Sequence, residues 1–397
     1  KEYQIPTIQI TTKADEEEVS DIFKRVNSGG QKLNENNFIE TLIAVYDTAI
    51  YDRIHSFCEE SRIPKNGTSY NRIIEVSSQH IIRMAVGLGF RRARMRYAYM
   101  LLRGRDLDTG VTTPETRIKN LDTFRSALDM VLDLNNWHGF LNLFGAAGYL
   151  NSSFVASTYV VIYGYVLYLI GKYDYQVSPM TLRKIMTQWI FMSAISSFYS
   201  TSPESTVEKQ FADLRDVKTS DEFVTYIINS IETKFTDDYF NVTLPASLLS
   251  SSANSPSWYG YIAAINVLGT PMWLSKTLLS VYLVVGANGT KASIDKHHIF
   301  PKNYLAGIGI VDDRDRNQIA NFTYLDYNTN IDISDNPPAD YVNRYKDSLG
   351  EDAFRKSCEE NAIPEGFETM SYFEFLKQRR MLMSGIVKKA YEYLKQL

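Results

Sequence analysis

Residues 294–305, IDKHHIFPKNYL, set two of the chain's five histidines side by side, followed by Ile-Phe-Pro and a lysine. Successive strand residues face opposite sides of a sheet, so His297 and His298 can serve one site only where the strand ends. Pro301 cannot donate to a ladder, and with Lys302-Asn303 it predicts that end just beyond the pair. A doublet with Asp295 and Pro301 close by points to chemistry more than to a structural histidine. Downstream, IANFTYLDYNTNIDIS brings Asn321 24 residues after His297, and Asn330 nine residues later.

The rest of the 397-residue chain reads mainly as helix. Residues 1–12 alternate around Ile5, Ile8 and Ile10 as a strand does, and DEEEVSDIFKRVN predicts a helix with acids in its first turn. NSGG (27–30) follows as a stop and turn. It reads as a helix C-cap or as a loop of amides able to cradle phosphate. From about 70 to 285 nearly every segment has helical period, with joints at 104–116, 133–139, 199–206 and 250–257. Near Ala287 the pattern turns Gly-rich and strand-like, then returns to helices after DNPPADY. The expected regions are 1–50, 51–285 and 286–397. The fold class is mainly α with small α/β parts.

Composition narrows the function classes. Apolar residues make up 44% and the net charge is −4, which suits an ordered chain and not a generally basic nucleic-acid binder. Any nucleic-acid surface must be local. One candidate is GFRRARMRYAYMLLRGRD, where helical spacing would put Arg92, Arg96 and Arg103 on one face, with Lys302 a further candidate near the histidines. A solvated face balanced by acids is the plain alternative for the arginines. Two cysteines 300 residues apart exclude a disulfide framework and a cysteine zinc site, so a cytoplasmic location is the expectation. The 17-residue run Phe154–Ile170 contains Gly164 and four tyrosines and is short for a bilayer, which predicts a buried helix and no membrane association.

The order HH…P…N…N resembles the HNH (ββα-metal) nucleases. Carried over on the matching positions, the resemblance makes His298 the general base, His297 and Asn330 the metal ligands, and Asn321 the residue bracing the loop. Asn328 is the alternative to Asn330. Asp295 would orient an imidazole or be a surface acid. Two protein ligands with several waters suit Mg²⁺, with Mn²⁺ as a substitute. Many relatives have Asp at the first-ligand position and a basic residue shortly after the last Asn, where this chain has His297 and Asp332.

The longer string HHIFPKNYL…IANFTYLDYNTNIDISDNPPADY is similar to the C-terminal HNH domain of GmrSD-type modification-dependent (type IV) restriction endonucleases. FKRVNSGGQKL (23–33) resembles the later half of that family's ParB-like N-terminal domain, and FYSTSPESTVEKQFADL (198–214) its helical middle. The family's Asp-Gly-Gln-Gln-Arg motif, tied to nucleotide hydrolysis, does not occur here, so a nucleotide would act only through a first half that this sequence lacks. The resemblance implies an endonuclease or nickase of a restriction or phage-defence system acting on DNA, modified phage DNA included. An HNH unit cuts one strand, so duplex scission needs two nicks or a homodimer. The competing expectations are a non-cleaving, nucleic-acid-binding or nucleotide-responsive regulator with a weak HNH unit, and a purely structural scaffold.

Overall fold

The computed structural model describes residues 35–252, 254–283 and 294–397, and for residues 35–37, 294 and 295 the backbone alone. The strand and helix expected within 1–34, and NSGG, lie outside the described residues. The chain divides into two compact units, 1–53 with 95–122, and 54–94 with 123–397.

In the first unit, α1 (Glu35–Tyr46) packs on a later helix; α2 (Thr48–Glu60) leads into the second unit, where α3 (Ser78–Phe90) follows. The helix that meets α1 is α4 (Met95–Leu102). Ile39, Leu42 and Ile43 are buried, as are Ala98, Leu101 and Leu102. Period-3.6 apolar positions on two short helices thus close one small core. The Asn120 amide, from α5 (Pro114–Leu132), donates to the Leu101 carbonyl at 2.8 Å.

The arginine-rich stretch is not one helix, which corrects the expected row of Arg92, Arg96 and Arg103. Helix α3 stops at Phe90, and Arg91 turns left-handed at φ 54°. Gly87 and Gly89 weaken the last turn, and the Glu208 carboxylate takes up the Ala93 and Arg94 N–H groups at 2.7 and 3.2 Å. Arg92 therefore lies in the connection, Arg96 on α4 over the Tyr97 ring at 5.0 Å, and Arg103 in the turn after α4 over Tyr99 at 5.5 Å. Arg91 pairs with Asp174.

The second unit is helical around α6 (Leu134–Ala146), α7 (Thr158–Tyr173) and α8 (Pro179–Ile195). The apolar run Phe154–Ile170 is mostly α7, buried from Val160 to Leu167. Among the described residues no helix is long and apolar enough to cross a membrane. α9 (Pro203–Asp213) and α10 (Ser220–Lys234) follow, then α11 (Leu244–Ser247), α12 (Pro256–Val267) and α13 (Leu279–Leu283). Close approach of α12 to α8 requires Gly260, where a Cβ would sit 2.2 Å from Ile195 Cγ1.

The remainder is a two-stranded antiparallel hairpin, β1 (Ile294–His298) and β2 (Phe322–Asp326), with helices α14 (Lys302–Gly307) and α15 (Asp313–Arg316) inside the connection. α16 (Tyr327–Ile333) follows β2 directly, then α17 (Pro338–Leu349), α18 (Glu351–Glu360) and the 25-residue α19 (Tyr372–Gln396). Residues 51–285 and 286–397, separated in the sequence reading, share one compact unit from residue 54 on except for 95–122. The α12 indole of Trp258 meets Phe322 and Tyr324 of β2 at 6.3 and 6.0 Å. Phe300, just past β1, packs on Phe375 of α19 at 4.7 Å. The hairpin is thereby fixed to the helical core on which its loop depends.

Candidate active site

β1 pairs with β2 in a register that puts His297 opposite Thr323 and His298 opposite Phe322. The strand ends at His298, and Pro301 at φ −58° and ψ 144° opens α14 with Lys302 as its first residue. The two imidazoles therefore stand at a strand terminus and both line one open cleft of about 570 Å³, with Lys296, Lys302, Asn330 and Asp335.

Asn321 is fully buried and spans the loop behind the histidines. Its Oδ1 accepts from Phe300 N–H at 2.8 Å, its Nδ2 donates to the Phe300 carbonyl at 2.9 Å, and its own carbonyl accepts from Ile299 N–H at 2.8 Å. Two side-chain bonds to one residue fix the loop in a way that a single bond cannot. Tyr341 of α17 adds an O–H bond to the Ile299 carbonyl at 2.8 Å.

Asn330 reaches the site because β2 turns straight into helix. The Asp326 carboxylate caps α16 by accepting from Thr329 N–H at 2.9 Å. One turn in, Asn330 Oδ1 lies 2.7 Å from His297 Nδ1. His297 is buried, at 7% exposure. Of the two asparagines left open by the sequence, Asn330 meets His297 and Asn328 is exposed. The side chain of Asp295 lies outside the described residues.

His298 is half-buried, its ring edge-on to Phe322 at 4.7 Å. Nε2 sits 3.1 Å from Asn317 Oδ1. Burial holds this imidazole down at about 4, with Lys302, His297 and Lys296 acting the same way and the Asn317 bond opposing them. It is therefore neutral at physiological pH, the form that accepts a proton. The Lys296 ammonium lies 4.4 Å from the Phe322 ring centre. Asp332 pairs with Arg344 at 3.1 Å and accepts from Tyr345 at 2.9 Å, which brings a guanidinium from α17 beside the position where the resemblance leads one to expect a basic residue.

On the cleft wall His297 Nδ1 and Asn330 Oδ1 are hydrogen-bonded to each other at 2.7 Å, so a cation taking an imidazole nitrogen and an amide oxygen there would replace that bond. That donor set fits a hard divalent cation that keeps most of its water. Among the described residues no group of three or more His, Cys, Asp or Glu side chains stands together as a metal cage. A more enclosed cavity of about 310 Å³, walled in part by Phe354, Cys358, Ile363 and Phe367, lies elsewhere. Its one thiol, Cys358, is pushed up to about 11 by burial and is no nucleophile at neutral pH.

The structure thus brings together His297, His298, Asn321, Asn330 and Lys302, whereas Arg92, Arg96 and Arg103 share no helix face. Asn317 and Arg379 went unnoticed in the sequence. Asn317 carries no signal there. Arg379 does, because it falls on the buried stripe of α19 marked by Phe375, Leu376, Met383 and Val387. No family model, no curated protein and no solved structure matches the chain.

Proposed function

We propose that this cleft hydrolyses phosphodiester bonds of DNA with a divalent metal, His298 acting as general base. The observation that carries the reading is the convergence of a neutral His298, held at a strand end by Asn321, with the His297–Asn330 pair on one open cleft.

His298, placed at the strand terminus, takes the proton of the attacking water. Asn321 keeps the loop from shifting as that proton moves. His297 and Asn330 would hold the metal. When bound, the metal supplies charge stabilisation at the scissile phosphate and at the departing oxygen. Lys302 and Lys296 contribute positive charge at the cleft, where a phosphate backbone would run. The openness of the cleft suits a polymer substrate more than a small enclosed ligand.

The motifs quoted above support placing this nuclease in a modification-dependent restriction or phage-defence system of GmrSD type, with a ParB-like segment at residues 1–50. The test incubates the chain and its His298→Ala variant with unmodified and modified phage DNA, in Mg²⁺, in Mn²⁺ and in EDTA. Cleavage that requires metal and His298 supports the nuclease, and preference for modified DNA supports the restriction role. Metal-independent binding without cleavage on every substrate would favour the non-cleaving regulator.

A further inference from the structure

We propose that Asn317 is a positioning residue that holds His298 in a single tautomer, hydrogen on Nε2 and lone pair on Nδ1, which makes Nδ1 the proton-accepting atom. The inference rests on the reading of His298 as the base. Its ground is a chain of hydrogen bonds whose direction is decided at the far end.

Asn317 follows α15 and carries both kinds of group on one amide. Nδ2 donates to the Asp313 carbonyl at 2.8 Å, and the Asn317 backbone N–H donates to the same carbonyl at 3.0 Å. A carbonyl can only accept, so the amide nitrogen must face Asp313. Reversing the amide would set Oδ1 against that oxygen and lose the bond. With Nδ2 committed, Oδ1 faces His298 Nε2 at 3.1 Å. An amide oxygen cannot donate, so Nε2 must. A neutral imidazole has one N–H, and its lone pair is then on Nδ1.

The ring's own orientation is held from two other sides. Phe322, its partner across the ladder, packs edge-on at 4.7 Å, and the Ile299 backbone beyond His298 is tied to Asn321 at 2.8 Å. Rotating the imidazole by half a turn would present a carbon to Asn317 and leave the amide oxygen without its donor. Asn317 lies 19 residues from His298 in sequence and outside the resemblance quoted above. The short helix α15 is what delivers it.

The experiment records long-range ¹H–¹⁵N spectra of the full chain labelled at histidine, with the His298 signals assigned by His298→Gln, alongside plasmid nicking. The expected result is an Nε2–H pattern for His298 in the native chain. Asn317→Ala should give mixed tautomers, with kcat down about 10- to 100-fold and KM within about twofold. Asn317→Asp loses the bond to the Asp313 carbonyl but keeps an acceptor facing Nε2, and should retain the Nε2–H pattern. A native His298 in the Nδ1–H form, or an Asn317→Ala chain with unchanged tautomer or unchanged kcat, would overturn the proposal. If the native chain shows the Nε2–H pattern but cuts no DNA, the tautomer assignment is supported and the hydrolytic reading fails on its own.

Discussion

Arg379, in the middle of the last helix, donates from Nη1 to the carbonyl of Ala320 at 2.8 Å, and so holds the residue that precedes Asn321. Its side chain is fully buried, and its Nε and Nη2 have no hydrogen-bond partner among the described residues. Burial lowers this guanidinium from its ordinary value, with the Tyr261 and Tyr341 hydroxyls opposing. A buried cation without a carboxylate costs stability that an apolar side chain of similar length does not.

Arg379→Met should therefore melt close to the native chain, while Arg379→Ala, which also leaves a cavity, should lose about 2–4 kcal/mol. Both remove the bond to Ala320 and should slow nicking. Chemical denaturation compared with nicking rate checks the pair. Equal destabilisation of the two variants would contradict the account.

Asn321→Ala should destabilise by about 2–4 kcal/mol, because it leaves both the N–H and the carbonyl of buried Phe300 without their partner. Nicking should vanish with it. Asn321→Asp keeps an acceptor for Phe300 N–H but sets a carboxylate against the Phe300 carbonyl, so it should not restore stability. Urea midpoints measure all three chains.

Metal affinity should separate the two asparagines. His297→Ala and Asn330→Ala should each weaken Mn²⁺ binding about 10- to 100-fold, and Asn328→Ala should leave it unchanged. Calorimetric titration of the folded chain reads this without any DNA present. An Asn328→Ala effect equal to that of Asn330→Ala would reject the ligand pair.

Alkaline pH should unfold the protein within a definite window. Burial raises Tyr226, Tyr324 and Tyr391 to about 12 and Cys358 to about 11, above their ordinary values of 10 and 9. Acids whose folded values are raised favour the folded state fully below the ordinary value and lose that preference as pH passes through the raised one. Stability should be level up to about pH 9 and fall between about 10 and 12. Tyrosinate absorbance and circular dichroism should change together in that window. Gradual tyrosinate formation with no loss of dichroism would contradict the burial.

Much of the site was legible because its geometry is local. The strand end at His298 followed from Pro301, and Asn321 and Asn330 lay where a strand and its following helix could return them to the doublet. The Arg92, Arg96 and Arg103 row was misread because apolar spacing runs unbroken from α3 into α4. The helix ends in a left-handed Arg91, and Glu208, more than a hundred residues later, takes up the Ala93 and Arg94 N–H groups ahead of the next helix. NTNIDI looks β-branched, yet Asp326 caps it as helix α16. Asn317 was invisible for a related reason. Its role comes from its reach to His298 through a four-residue helix, and no spacing in the sequence encodes that.

The most direct measurement of the central claim follows supercoiled plasmid nicking and DNA binding in the same samples, for the purified chain and for His298→Ala, with Mg²⁺ and with EDTA. Metal-dependent nicking by the native chain is expected, with binding but no nicking by His298→Ala. Nicking that survives the loss of His298 would contradict it.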